Sequence, residues 1–212
     1  MSMRKPKVLV HPTVEPVTLA EARLHLRLDA YDSPAAHPDD AIVESLITAA
    51  RQWAEEFCER TIAQATLELA LDEWPETPAP SQPLPVYLPR APLQELQSVV
   101  YIDGAGVQQD LTNYQLDNYD EPPRLMPAAG ASWPATQDKR LNAVRIRYRA
   151  GHTLPGDSPD LHPLPKPIKQ AILLILGHLY EHREDSTPVR LDQIPLGAQT
   201  LLRKYRLANG FA

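Results

Sequence analysis

Twenty-three prolines against 8 glycines cut this chain of 212 residues into short segments. Each proline fixes φ, removes a backbone donor and bars the interior of a helix or a central strand. The prolines gather at Pro75–Pro92, Pro122–Pro134 and Pro155–Pro167, so the regular elements must fit between those points. What lies between them changes period along the chain. Thr18-Leu19-Ala20-Glu21 is a capping-box pattern that opens a short helix reaching about Leu28. A second helix begins near Asp39 or Asp40, whose carboxylates suit a helix N-terminus, and carries Ile42, Val43, Leu46, Ile47, Ala50, Trp53, Ala54 and Phe57 at helical spacing.

From Ala65 the period becomes two. Leu67, Leu69 and Leu71 alternate with Thr66, Glu68, Ala70 and Asp72, as expected of a strand with one buried face. Val86–Leu88, Leu96–Ile102, Tyr114–Asp117, Arg124–Met126 and Ala143–Tyr148 read as further strands, and Asp103-Gly104-Ala105-Gly106 as a hairpin turn. Beyond the third proline cluster, Ile168 to Arg183 is strongly apolar on more than one face. That predicts a largely buried helix, covered by its own core or by a neighbouring subunit. A last short helix near Leu196–Leu207 sets Leu201, Leu202 and Tyr205 among Arg203, Lys204 and Arg206. The expected fold is therefore α+β and mainly helical: a core of about four helices with a small antiparallel β unit inserted. Its parts are residues 1–64 (N-terminal helices), 65–150 (the β insertion) and 151–212 (C-terminal helices and docking element).

Charge and cysteine usage narrow the function classes. The net charge of −6 argues against a chain whose main task is gripping phosphates. The middle of the chain is the acidic part and the last third is net basic, which suits a solvated face or a basic docking element. Cys58 is the only cysteine, so neither an intramolecular disulfide nor a Cys-based zinc cage can form, which fits a reducing cytoplasm. No stretch approaches the roughly eighteen apolar residues of a membrane span. Met1 to Val10 is basic without the apolar core and cleavage site of a signal peptide, so no membrane association is expected.

The signals for chemistry are weak beside their structural readings. His178-Leu179-Tyr180-Glu181-His182 spells the H-x-x-E-H pattern of inverted zinc peptidases, with two imidazoles one helical turn apart and Glu181 as base. A third ligand would have to come from Glu184, Asp185 or Asp192, in little remaining chain. Asp39/Asp40, Glu55/Glu56 and Asp120/Glu121 are adjacent carboxylates that face different directions on a helix, better suited to helix starts and solvated faces than to acid–base work. Gly104-Ala105-Gly106 lacks the rest of a phosphate loop. No catalytic, metal or cofactor site is expected. Arg145, Arg147 and Arg149 alternate with Val144, Ile146 and Tyr148, which puts the arginines on one strand face, either solvated, subunit-facing or DNA-facing.

The order of segments resembles the head-tail connector, or adaptor, proteins of tailed bacteriophages, also seen in prophages and gene-transfer particles. The resemblance runs over most of the chain. It rests on Pro16-Val17-Thr18-Leu19-Ala20-Glu21-Ala22 with Leu24 to Leu28, then the long helix with Trp53-Ala54-Glu55 and Phe57, and Leu88-Pro89-Arg90-Ala91-Pro92-Leu93. Ser98 to Asp103, Trp133-Pro134, Asn142-Ala143-Val144-Arg145 and Pro167-Ile168-Lys169-Gln170-Ala171-Ile172 follow, and His178-Leu179-Tyr180-Glu181 with Leu201-Leu202-Arg203-Lys204-Tyr205-Arg206 close it. Glu76–Pro85 and Gly156–Leu164 look longer or less regular than that family's pattern.

What the resemblance implies is a non-enzymatic structural protein at the head–tail junction of the virion, assembled in the bacterial host cytoplasm. Roughly twelve copies would form a closed ring of repeated heterologous interfaces. The ring would contact a portal protein above and a stopper or tail-completion protein below, with DNA passing through the lumen without sequence-specific binding. Portal docking is expected of Leu201, Leu202, Arg203, Lys204, Tyr205 and Arg206, and subunit contact of Ile168, Ile172, Ile175, Arg145 and Arg147. The alternatives are a zinc hydrolase built on His178, Glu181 and His182, and a nucleic-acid-binding module using the cationic C-terminal third.

Overall fold

A computed structural model describes residues 4–28, 37–75, 83–154, 162–182 and 195–207. The chain divides into two compact units. One is helical and combines residues 13–63 with 153–207; the other is built of sheet and combines residues 1–12 with 64–152.

Four helices make the first unit: α1 (Leu19–Leu26), α2 (Asp40–Cys58), α3 (Lys166–Glu181) and α4 (Leu196–Arg203). α1 starts where the capping box directs it. The Thr18 hydroxyl accepts from the Glu21 amide at 3.2 Å while the Glu21 carboxylate accepts from the Thr18 amide at 2.9 Å, so two amides that the first turn orphans are satisfied. Both α1 and α2 end on a left-handed residue, Arg27 and Glu59, each at φ 55. α2 buries Val43, Ile47, Ala50, Ala54 and Cys58 along one stripe, the face its spacing predicts. α3 is preceded by Pro165 and carries Pro167 in its first turn, where no intrahelical amide is lost. It packs against α1, α2 and α4. Being enclosed from several sides explains its apolar residues on more than one face.

The second unit has two antiparallel sheets. The larger contains β1 (Lys7–Val10), β2 (Ala65–Leu71), β4 (Leu93–Ile102), β5 (Gln108–Asp110) and β8 (Val144–Ala150), in the order β1-β2-β8-β4-β5. The smaller contains β3 (Val86–Tyr87), β6 (Tyr114–Asp117) and β7 (Arg124–Pro127), in the order β3-β7-β6. Leu67, Leu69, Leu71, Leu93, Val99, Val144, Ile146 and Tyr148 from the first sheet share one apolar core with Val86 and Leu125 from the second. Val10 faces Thr66, and Ala65 faces Ala150, so the ladders hold the ends of β1, β2 and β8 side by side. Between β4 and β5 the Asp103 carboxylate accepts from the Ala105 and Val107 amides at 3.0 Å, and Gly106 takes φ +82, which an L side chain rarely adopts.

The expectation of a mainly helical chain is corrected by the four helices and eight strands found among the described residues. Of those residues helix and strand take similar shares, about 30% and 28%. The excess of strand comes from β1 and β5, which carry no periodic signal of their own, and from the earlier start of β4 at Leu93. Residues 7–10 become an edge strand by pairing with β2, nearly sixty positions away, and β5 is only 3 residues long. Two of the helices, in turn, have just 8 residues each.

Candidate interaction surfaces

The basic C-terminal element is half anchored and half exposed. Leu202 is fully buried in the helical core, with Leu201 and Tyr205 packed against it. The Tyr205 carbonyl accepts from the Arg60 guanidinium, and the Leu207 amide donates to the Cys58 carbonyl at 3.0 Å, so the segment is tied to the end of α2. The Arg206 guanidinium lies 5.9 Å from the centre of the Phe57 ring, which also stacks on Trp53 with ring centres 5.2 Å apart. Arg203 and Lys204 are exposed. Of the six residues marked for docking, Arg203, Lys204 and Arg206 therefore present charge to solvent, while Leu202 serves the subunit's own core.

Ile168, Ile172 and Ile175 are fully buried among the helices of their own unit. Arg145 and Arg147 sit on the solvated face of the larger sheet, and each has a partner on another strand of that sheet. Arg147 pairs with Glu68 on β2 at 3.2 Å, Arg149 with Glu95 on β4 at 3.5 Å, and Arg145 donates to Gln108 on β5 at 2.5 Å. This row of arginines is matched across its own strands, which is how alternation in β8 looks once the neighbours are in register. The opposite face of β8 is core: the buried Tyr148 hydroxyl donates to the Pro89 carbonyl at 2.8 Å, and burial pushes its phenol well above the ordinary range.

The two histidines of the H-x-x-E-H pattern lie with ring centres 4.4 Å apart and ring planes tilted by 38°. His182 Nδ1 lies 2.9 Å from the His178 carbonyl and Glu181 is exposed. Among the described residues no group of three His, Cys, Asp or Glu side chains is placed to hold a metal ion; Glu184, Asp185 and Asp192 lie outside those residues. The adjacent carboxylates have structural work. Asp40 binds Arg23 and accepts from the His37 amide at 2.8 Å, and the Arg23 guanidinium holds its carboxyl below the usual range. Glu55 accepts from the Ile62 and Ala63 amides at 2.7 and 3.2 Å and from Arg51. No helix among the described residues is long and apolar enough to cross a membrane. The segments 76–85 and 156–164, singled out as irregular, fall largely outside the described residues.

Sequence reasoning missed one kind of surface, the two open edges of the larger sheet. Among the described residues β1 is bordered only by β2 and β5 only by β4. The signal was out of reach because residues 7–10 become a strand edge only through a distant partner.

No protein-family model matches the chain, and no curated protein matches it in sequence. Solved structures do. A chain in the neck of an empty gene transfer agent particle, computed with C6 symmetry, superposes with a TM-score of 0.72 at 22% identity, covering 97% of this chain and 96% of that one. A chain in the neck of the native particle computed with C12 symmetry gives 0.69 at 22%, over 97% and 96%. A chain in the virion of the native particle gives 0.67 at 23%, over 94% and 96%. The chain thus has, over nearly its whole length, the fold of those particle chains.

Proposed function

We propose that this chain is a structural component of the neck of a tailed phage or phage-like particle, a head-to-tail adaptor without catalysis. The observation that carries the reading is the end-to-end fold match with neck chains of a gene transfer agent. A shared fold alone leaves function open, and here two further points favour assembly over chemistry. Of the histidines and carboxylates weighed for chemistry in the sequence, His178 and His182 lie in a tilted ring contact and Asp40 and Glu55 are engaged in ion pairs. The surface instead offers exposed charge on α4 and two open sheet edges.

In this reading copies form a ring, about twelve by analogy with the symmetry of the neighbouring particle's neck. The ring meets a portal protein on one side and a stopper or tail-completion protein on the other, and DNA crosses the lumen without sequence-specific contact. Arg203, Lys204 and Arg206, with Leu201 and Tyr205 beneath them, form the portal-docking patch; Arg145 and Arg147 add charge to the exposed sheet face. Ile168, Ile172 and Ile175 act indirectly, by holding the helical unit that presents α4. The overall acidity suits a lumen through which phosphates must slide.

The test is to delete the gene in the host that makes the particle and image the product. Heads without tails, restored to whole particles by the gene in trans, are expected. Complete, infectious or transfer-competent particles from the deletion strain would overturn the proposal.

A further inference from the structure

α2 and α3 turn nearly uncharged stripes outward on opposite sides of the helical unit. Each buries one side in a shared core, α2 with Val43, Ile47 and Ala54 and α3 with Ile168, Ile172 and Ile175, and the two helices pack directly on each other. Their outer sides therefore face away from each other. On α2 the outer stripe is Ile42, Ser45, Ala49 and Gln52, spaced by three and four residues and all exposed. It carries no charge until Glu56 in the last turn, whereas a helix face left to water is ordinarily filled with charged residues. Ile42 is 43% exposed, and Leu46 and Trp53 border the stripe half-buried.

On α3 the outer stripe is Lys166, Gln170, Leu173 and Gly177, at the same spacing. It forms the floor of a groove, because α1 and α4 both pack on α3 without packing on each other. The His25 imidazole of α1 stands over Gly177, where a methyl group would come within 3.4 Å of it, and Gly197 of α4 stands beside Leu174, with 3.9 Å left for such a methyl. Leu24, next to His25, and Leu196, next to Gly197, are 75% and 77% exposed. Apolar surface that one subunit leaves open on this scale marks an interaction site.

We infer that the α2 stripe of one copy lies in the α3 groove of the next. The spacing of Ile42, Ser45, Ala49 and Gln52 is that of a helix laid into a groove. The direction of the contact agrees with its charges. Within a subunit the end of α3 meets the start of α2, where the Tyr180 hydroxyl donates to Asp39, so the two helices are antiparallel. A copy stacked behind the first in nearly the same orientation presents its α2 antiparallel to α3 as well. Both helices rise about 1.5 Å per residue, so with Glu56 set against Lys166, Gln52 falls beside Gln170, Ala49 beside Leu173 and Ser45 beside Gly177. An acid meets a base at one end, and the smallest side chains meet where the groove is narrowed by His25. At the other end the exposed Glu181 falls beside Ala41 in the first turn of α2, where the helix dipole favours an anion. Two α2 stripes laid on each other would offer Glu56 no base. Since donor stripe and groove lie on opposite sides of the unit, the contact is heterologous and repeats from copy to copy, closing into a ring where its rotation allows.

This inference rests on the adaptor reading for its ring, and its test separates the two. The full-length chain carrying Gln52→Cys together with Gln170→Cys, both at exposed positions, is oxidised mildly over a concentration series, with the native Cys58 silent because it is fully buried. A ladder of dimers, trimers and higher species is expected from the double variant, and nothing beyond a dimer from either single variant. Adding Ala49→Arg, at an exposed position, should abolish the ladder without moving the unfolding midpoint. A second arm uses charge: Glu56→Lys alone and Lys166→Glu alone should each weaken association about tenfold, and the combined reversal should restore it. No ladder, a ladder that survives Ala49→Arg, or a combined reversal as weak as the two singles together overturns the stacking. Particles with this chain ringed in the neck but no ladder would leave the adaptor reading standing without the stacking. A ladder from a chain that imaging never finds in a neck would sustain the stacking and overturn the adaptor.

Discussion

Arg51 donates to Glu55 one helical turn away at 2.6 Å, with only 6% and 14% of their side chains exposed. The same guanidinium binds Glu15 at 2.7 Å, and the second oxygen of Glu55 accepts the Ile62 and Ala63 amides. One buried arginine thus joins the segment before α1, the body of α2 and the turn leading to the β unit.

Removing one partner of a buried pair strands the other, so Arg51→Ala should lower unfolding free energy by about 3 kcal/mol in urea titration of the full chain. Burial already pushes the Glu55 carboxyl above its ordinary value, against the pull of Arg51 and the two amides. Without Arg51 that rise grows. A carboxyl whose folded value exceeds its unfolded one holds more protons when folded, so the variant should lose stability as pH rises through the interval between the two. A flat profile there would contradict the buried pairing.

Asp72 shows the opposite sign. The Arg4 guanidinium, followed by the Asn142 amide at 2.8 Å, holds its carboxyl below the ordinary value of 3.8. Its contribution is present above that value and is lost as pH falls through the lower folded one. In a carboxyl-detected NMR titration the Asp72 midpoint should lie below the ordinary aspartate value and move back toward it in Arg4→Gln. An unmoved midpoint would mean that the N-terminal segment is not held by this pair.

Cys58 should be nearly inert. Burial, against the pull of Arg60 and Arg206, pushes its thiol up to about 11, and its sulfur lies 3.7 Å from the Leu202 carbonyl. At pH 8 that cuts the thiolate fraction on the order of a hundredfold relative to a free thiol, before any steric protection is counted. Labelling with a disulfide reagent should be slow in the native protein and immediate in denaturant; fast native labelling would show that the α2–α4 contact opens.

α4 has separable duties. Leu202→Ala should cost about 2–5 kcal/mol in unfolding free energy, as a core truncation does. Arg203→Glu with Lys204→Glu, at exposed positions, should leave the unfolding midpoint within about 0.5 kcal/mol of the parent. If α4 docks on the portal, the charge pair alone should abolish portal retention in a pull-down. Cutting the chain after Leu196 cannot make this distinction, since it would remove Leu202 from the core.

What the sequence revealed depended on how local each cause was. The Thr18–Glu21 box, the stripe of α2 and the alternation of β2 and β8 are written in neighbouring residues, and they appear where the periods put them. β1 depends on a partner far along the chain, and β5, only 3 residues long, has no room for a period although its partner lies just across a hairpin, which is why the weight of sheet was underestimated. The apolar α3 could be read as buried, but its cover is a matter of tertiary packing: α1, α2 and α4 surround it. The candidate surfaces followed the same rule. The arginines of β8 were visible in sequence, whereas their partners Glu68, Glu95 and Gln108 are set by register.

The ladders Val10–Thr66 and Ala65–Ala150 bring together the places where the chain passes between its two units. Among the described residues the passages are three, after residues 12, 63 and 152. Residues 13–63 form a loop closed by β1 with β2, and residues 64–152 a loop closed by β2 with β8. After a nick at any one passage each fragment holds part of a unit that the other fragment completes, so a clipped subunit should still migrate as a whole under native conditions and fall apart only in denaturant.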